Sequence, residues 1–151
     1  MSSEIMIFLT AMLPVSELRG AIPLGFALGV PWQKIAFLSL LGNLLPVPFV
    51  LIFLRPVSQR LRRFPLWRKF FEWLFERTKK RSKMVEKFEF WGMVIFVGIP
   101  LPMTGAWTGA VAGSLLGMRF GKAILAIFLG IILAGTIVFS LVLSGKIIIS
   151  L

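Results

Sequence analysis

The sequence contains no cysteine, histidine, tyrosine or aspartate. Each absence removes a class of chemistry. Without cysteine there are no disulfides, no thiolate nucleophiles and no zinc–thiolate sites. Without histidine there is no imidazole base, and the commonest metal ligand is gone. Glutamates 4, 17, 72, 76, 86 and 89 are the only side-chain carboxylates, and four of them fall between residues 55 and 89. No metal site and no cofactor are expected, and the chain reads as something other than an enzyme.

What the chain does have is apolar bulk. Of its 151 residues 58% are hydrophobic, and the mean hydropathy is +0.92, well above the soluble range. The length suits one membrane domain. Its net charge of +11 is concentrated: residues 55–89 hold twelve Lys/Arg and four Glu, for +8. Apolar spans flank this block, so the positive-inside rule explains it better than a nucleic-acid footprint. We expect a multi-pass protein of the cell inner membrane with residues 55–89 cytoplasmic and no nucleic-acid partner. The N-terminus has neither a basic leader nor a small-residue cleavage site, so no removable signal is expected there.

The chain also repeats itself at an offset of 88 residues. Leu13-Pro14 overlays Leu101-Pro102, Ser16 overlays Thr104, and Gly25, Leu28 and Gly29 overlay Gly113, Leu116 and Gly117. Lys34, Gly42 and Val50 overlay Lys122, Gly130 and Val138. Paired units with interrupted helices are a common transporter plan. The spacing divides the chain into repeat one (1–54), a basic interfacial linker (55–90) and repeat two (91–151).

Residues 33–54 and 120–143 read as full spans, since about twenty apolar residues cross a hydrocarbon core of about 30 Å. Pro46 and Pro48 are expected to kink the first. The segments before each span are shorter and broken, at Pro14–Gly20 and at Pro100–Gly105. Pro14, Gly20, Pro23, Pro100, Pro102 and Gly105 shape these breaks. Two topologies fit. In one, each broken segment is a re-entrant hairpin, which makes the fold all-α integral membrane with two inverted repeats joined by a basic amphipathic helical segment. In the other, the chain crosses four times. Charge placement slightly favours the hairpins. Pro65 can open the linker helix. Its Leu66, Trp67, Phe70, Phe71, Trp73, Leu74 and Phe75 face either the headgroup plane, with basic residues meeting anionic lipid, or the rest of the protein.

Glu17 and Arg19 are the one oppositely charged pair expected deep in apolar surroundings, where ionisable groups mark function by default. Two roles fit: a proton-carrying carboxylate with a substrate-holding guanidinium, or a fixed clamp on the hairpin. Ser16 and Thr104 can cap the returning half-helices, whose positive ends would suit a phosphate or carboxylate. Trp107 either lines a cavity or packs. Asn43 either reaches the break or satisfies backbone freed by Pro46. Gly105, Gly109, Gly113 and Gly117 recur every four residues, a stripe for close helix packing. Glu17, Ala21, Gly25 and Gly29 hold the equivalent places in repeat one.

The run Leu13-Pro-Val-Ser-Glu-Leu-Arg-Gly-Ala-Ile-Pro23 resembles the signature of the small multidrug export proteins. Gly98-Ile-Pro-Leu-Pro-Met-Thr-Gly-Ala-Trp-Thr-Gly109 fits it too, and the resemblance covers nearly the whole chain. This family is similar to the DedA superfamily. The resemblance implies facing re-entrant hairpins, proton-coupled transport or lipid translocation, and oligomers. The DedA pattern carries further charged residues, whereas the second break here has none. The expectation is a transporter of a small or amphipathic solute, with proton-coupled antiport through facing hairpins. Alternatives are a translocase or scramblase of an anionic lipid such as a polyprenyl phosphate, and a non-transporting scaffold. The partners expected are membrane lipids, with anionic headgroups near residues 55–89, and a second copy in a homodimer.

Overall fold

The fold is given by a computed structural model that describes residues 2–61, 63–66, 68–69, 72–73, 82–101 and 104–149. Every regular element among them is helical. In chain order these are α1 (Ser3–Met12), α2 (Glu17–Ala27), α3 (Trp32–Leu44), α4 (Pro46–Leu61), α5 (Ser82–Gly98), α6 (Ala106–Leu115) and α7 (Phe120–Ile149). Glu72 and Arg68 form an i,i+4 ion pair at 2.8 Å in the linker. Trp67, Phe70, Phe71, Leu74 and Phe75 lie outside the described residues.

Local rules set the boundaries. The Ser2 hydroxyl accepts from the Ile5 N–H at the start of α1, the usual cap for an exposed first turn. Pro31 precedes α3, and Pro46 stands at the first position of α4. The interruption expected at Pro46 and Pro48 is confined to Leu45, whose backbone stays helical at φ −57° and ψ −44°. Residues Trp32–Arg60 therefore form one apolar helical stretch of 29 residues, and Phe120–Gly145 forms another of 26. Both are long and apolar enough to cross a membrane. The helices α1, α2 and α6 have 10, 11 and 10 residues. At 1.5 Å per residue each rises only about 15 Å. α5 begins at Ser82, earlier than repeat two was expected to begin, and so takes in the end of the linker.

The two units end their short helices in the same way. Gly29 and Gly117 have φ of +69° and +70°, a left-handed turn that glycine enters without a Cβ penalty. The bonds around them match residue for residue at the 88-residue offset. Val30 N–H donates to the Gly25 carbonyl at 3.1 Å, and Met118 N–H to that of Gly113 at 3.0 Å. Leu28 and Leu116 each donate at 2.9 Å to the carbonyl four residues back. Gly29 and Gly117 are thus exposed turn formers, not members of a packing stripe. Gly25, Gly109 and Gly113 do pack. A Cβ on Gly25 would lie 2.7 Å from Ile35, and one on Gly109 would lie 2.5 Å from Val97. One on Gly113 would meet Ala123 at 3.6 Å.

α1 packs most extensively on α3, and α5 on α7. The core runs between these pairs through Ile7, Ile22, Ile35, Val47, Leu51, Val97, Ile127 and Ile131. Gly42 and Gly130, equivalent in the repeat, let the backbones approach. A Cβ on Gly42 would lie 2.5 Å from the Phe8 carbonyl oxygen, and one on Gly130 would lie 2.6 Å from Val97. Filling such contacts costs about 1–3 kcal/mol. Gly42→Ala and Gly130→Ala are each expected to lower the unfolding temperature in detergent. Gly145→Ala, which meets nothing within 4 Å, is expected to leave it unchanged or raise it.

Candidate functional site

The two breaks meet each other. Glu17 and Gly105 are equivalent positions in the repeat, and they are in contact. A Cβ on Gly105 would coincide with the Glu17 carboxylate, so the missing side chain in one unit makes room for the carboxylate of the other. Glu17 is 6% exposed. Its oxygens accept from the Trp107 backbone N–H at 3.4 Å and from the Ala106 N–H. These are the first two helical residues of α6, whose N-cap, Gly105, has no side chain to offer. Glu17 therefore caps α6 from the other unit's break, and its charge faces the positive end of that helix. Thr108 completes the cap by accepting from the Gly105 N–H at 2.8 Å.

The backbone of Glu17 is left-handed, with φ +48°, the one such non-glycine residue among those described. This conformation costs roughly 1–2 kcal/mol for a residue with a Cβ. It directs the carboxylate across the junction and toward Arg19, whose Nη2 lies 3.8 Å from the Glu17 Oε2. On a regular helix, residues two apart do not face each other; the turn at Glu17 is what lets them.

A second equivalence closes the junction. Arg19 and Trp107 occupy matching places at the 88-residue offset. Each donates to a backbone carbonyl at the other unit's break. The Trp107 indole N–H donates to the Met12 carbonyl at 3.1 Å, where α1 ends. The Arg19 Nη1 donates to the Leu101 carbonyl, just beyond α5. Helix ends in apolar surroundings need such partners. Sequence reading left Trp107 between cavity lining and packing, because similarity matching passes over an arginine aligned with a tryptophan. The offset itself was the available signal.

Other expectations are redrawn. Ser16 makes no cap to α2; its hydroxyl donates backward to the Thr10 carbonyl at 2.7 Å. Thr104 does likewise, toward Ile99 at 2.9 Å and Leu101 at 3.0 Å. Both hydroxyls close the C-terminal end of the entering helix instead of the N-terminal end of the returning one. Gly20 and Pro23 lie inside α2, not in the break. Gly20 marks a close approach, since a Cβ there would lie 2.9 Å from the Ser16 Cβ. Pro23 removes one N–H and the helix continues past it. Pro14 lies within the turn between α1 and α2, Pro100 follows α5, and Pro102 lies outside the described residues. Asn43, on α3, is 1% exposed and lines the same small space as Glu17, Arg19 and Gly105. Its Oδ1 and the Arg19 Nε and Nη2 have no hydrogen-bond partner.

Gly105→Ala is expected to eject the Glu17 carboxylate and to destabilise the protein by about 1–3 kcal/mol, the usual overpacking range. In a Glu17→Ala background the same substitution should cost far less. Thermal unfolding of the four proteins of this cycle measures the coupling.

A larger apolar groove lies beside the junction between α2, α3 and α7, and shares Leu18 and Ile131 with the junction's lining. Among the described residues no group of three or more His, Cys, Asp or Glu side chains is placed to hold a metal ion. Comparison with known proteins finds no match among curated proteins and none among solved structures. The profile of the small multi-drug export protein family matches residues 17–137. That stretch runs from the buried glutamate at the first break to the middle of α7. The chain therefore belongs to the small multi-drug export protein family, a family of membrane transporters rather than enzymes.

Proposed function

We propose that the protein moves a small amphipathic solute across the membrane by shifting its two broken-helix units against each other at the Glu17–Gly105 junction. The observation that carries this reading is the buried Glu17 carboxylate held by α6 and Arg19 from the two opposing breaks. A static scaffold has no need of an ionisable group at this depth, and such groups mark transport pathways. In this reading α1–α2 and the end of α5 with α6 are re-entrant hairpins. The repeats are inverted because one full span separates them, both termini lie outside, and residues 55–89 lie inside the cell against anionic lipid. The short protomer offers little wall for an enclosed path, so the reading includes a homodimer.

Among the described residues Glu17 is the one carboxylate at the junction, and it is the proposed proton carrier. Protonation would weaken its hold on the α6 N-terminus and on Arg19 together, which couples proton uptake to separation of the breaks. The anionic-lipid reading has less support in the geometry, because the α6 N-terminus already holds a carboxylate of the chain itself.

Reconstituted vesicles test the mechanism. Glu17→Gln preserves shape and loses the charge-assisted bonds, each worth about 1.5–3 kcal/mol. Proton-gradient-driven flux is expected to fall about tenfold or more, with folding retained. Unchanged gradient-driven flux in a folded Glu17→Gln protein would leave the pair as a structural clamp. Trp107→Phe, which removes one bond across the junction and keeps the ring, is expected to slow flux less.

Topology is tested separately. A cysteine placed at Ser2 is expected to label from outside and one at Arg63 from inside, against a chain with no native cysteine. Labelling of Ser2→Cys from the inside alone would favour four crossings.

A further inference from the structure

The charged and amide side chains at the junction come from one half of the molecule. Glu17, Arg19 and Asn43 belong to the first unit, and at the 88-residue offset stand Gly105, Trp107 and Ile131. Asn43 and Ile131 are therefore equivalent positions, and both line the small space at the junction. An isoleucine satisfies packing at this place in the second unit, so packing does not explain an amide in the first. Asn43 is the one asparagine of the chain. It is 1% exposed, and its Oδ1 has no hydrogen-bond partner. A buried acceptor left in this way is unfavourable in apolar surroundings.

Donors that suit it line the same space. Arg19 spends its Nη1 on the Leu101 carbonyl. The N–H groups on its Nε and Nη2 are closed off from solvent and have no hydrogen-bond partner. Nη2 lies 3.8 Å from the Glu17 Oε2, an attraction between charges that is longer than a hydrogen bond. Charge alone therefore holds these nitrogens toward Glu17, and their directional bonding is unspent. Among the described residues no other charged side chain lines the space, whether from α1, α3, α4, α5, α6 or α7.

Uptake of a proton by Glu17 ends that attraction and leaves a guanidinium without its counter-charge, a costly state in apolar surroundings. We propose that Asn43 is the alternative partner of Arg19: its Oδ1 receives the guanidinium when Glu17 is neutral and releases it when Glu17 ionises. Hydrogen bonds from a charged donor are stronger than neutral ones, so the amide makes the neutral state attainable. An amide carries no charge, so it yields to an ionised carboxylate and the exchange reverses. Asn43 is thus a positioning residue that acts on the proton carrier through Arg19. This rests on the proton-carrier reading of Glu17 and adds the group that takes Arg19 once the proton is bound.

Thermal unfolding in detergent tests the exchange apart from transport. Asn43→Ala is expected to lower the unfolding temperature more as pH falls through the titration of Glu17, because the Arg19–Asn43 bond forms only in the protonated state. Groups elsewhere titrate alike in both proteins and cancel in the difference. In a Glu17→Gln background Asn43→Ala should cost its full amount at every pH, about 3 °C or more beyond its cost in the unsubstituted protein at high pH. A second measurement leaves Asn43 in place. Asparagine is labelled at its side-chain carbonyl carbon, a single site, and arginine at its guanidinium nitrogens. Dipolar dephasing of the asparagine signal in solid-state NMR is expected to be stronger in Glu17→Gln than in the unsubstituted protein at high pH.

A cost of Asn43→Ala that is the same at every pH and in both backgrounds, a cost that grows as pH rises, or dephasing that Glu17→Gln leaves unchanged would each overturn the proposal. So would proton-driven flux in vesicles that Glu17→Gln abolishes and Asn43→Ala leaves untouched; a fall of about threefold to tenfold is expected for Asn43→Ala. The exchange in detergent, together with flux indifferent to Glu17→Gln, would sink the proton-carrier reading and leave the exchange standing. Flux that depends on Glu17 in a protein without the exchange would do the reverse.

Discussion

A carboxylate survives in an apolar interior only where its charge is met from several directions, and much of this molecule is arranged to do that for Glu17. The N-terminus of α6 supplies two N–H groups and the positive end of a helix. Arg19 supplies a counter-charge. Gly105 supplies space by having no side chain. The left-handed backbone at Glu17 supplies direction. These contributions come from two stretches of chain, residues 17–19 and 105–107, so the two breaks must reach the same place. The close crossings at Gly42 and Gly130 bring α1 and α5 near enough to the spans for that to happen.

Beside this polar junction lies an apolar groove, separated from it by Leu18 and Ile131. The two differ in how they resist change. The groove is held by dispersion and shape, which tolerate a guest of suitable size. The junction is held by a few directional bonds across two helix ends, each worth about 1 kcal/mol net when neutral and more when charged. Such a contact is strong when complete and weak once one member leaves, which suits a boundary between two arrangements rather than a continuous hinge.

The helices and their order were legible in the sequence because hydrophobic runs and proline breaks are local properties. So was the equivalence of positions 88 residues apart, Gly29 and Gly117 included, although a stripe of packing glycines was the wrong reason for singling out those two. They recur every fourth residue with Gly25 and Gly113, yet serve as turns, and spacing alone does not separate packing from a positive φ. Ser16 and Thr104 illustrate a different limit. A hydroxyl at a break can serve the helix before it or the one after it, and only the path of the backbone decides. Trp107 was hidden because its role comes from position, not from kinship with Arg19.

The junction also bears on how such a molecule comes to exist. Its two halves follow one plan in their turns and crossings, yet at their point of contact they are complementary rather than alike. Glutamate meets glycine, and arginine and tryptophan each donate to a carbonyl at the other's break. Two copies of the first half, brought together as separate chains, would set glutamate against glutamate in a space sized for one carboxylate. Two copies of the second would leave that space vacant and both helix ends uncapped. Joining the halves in one polypeptide makes them distinguishable, and only distinguishable halves can divide the parts of guest and host between them.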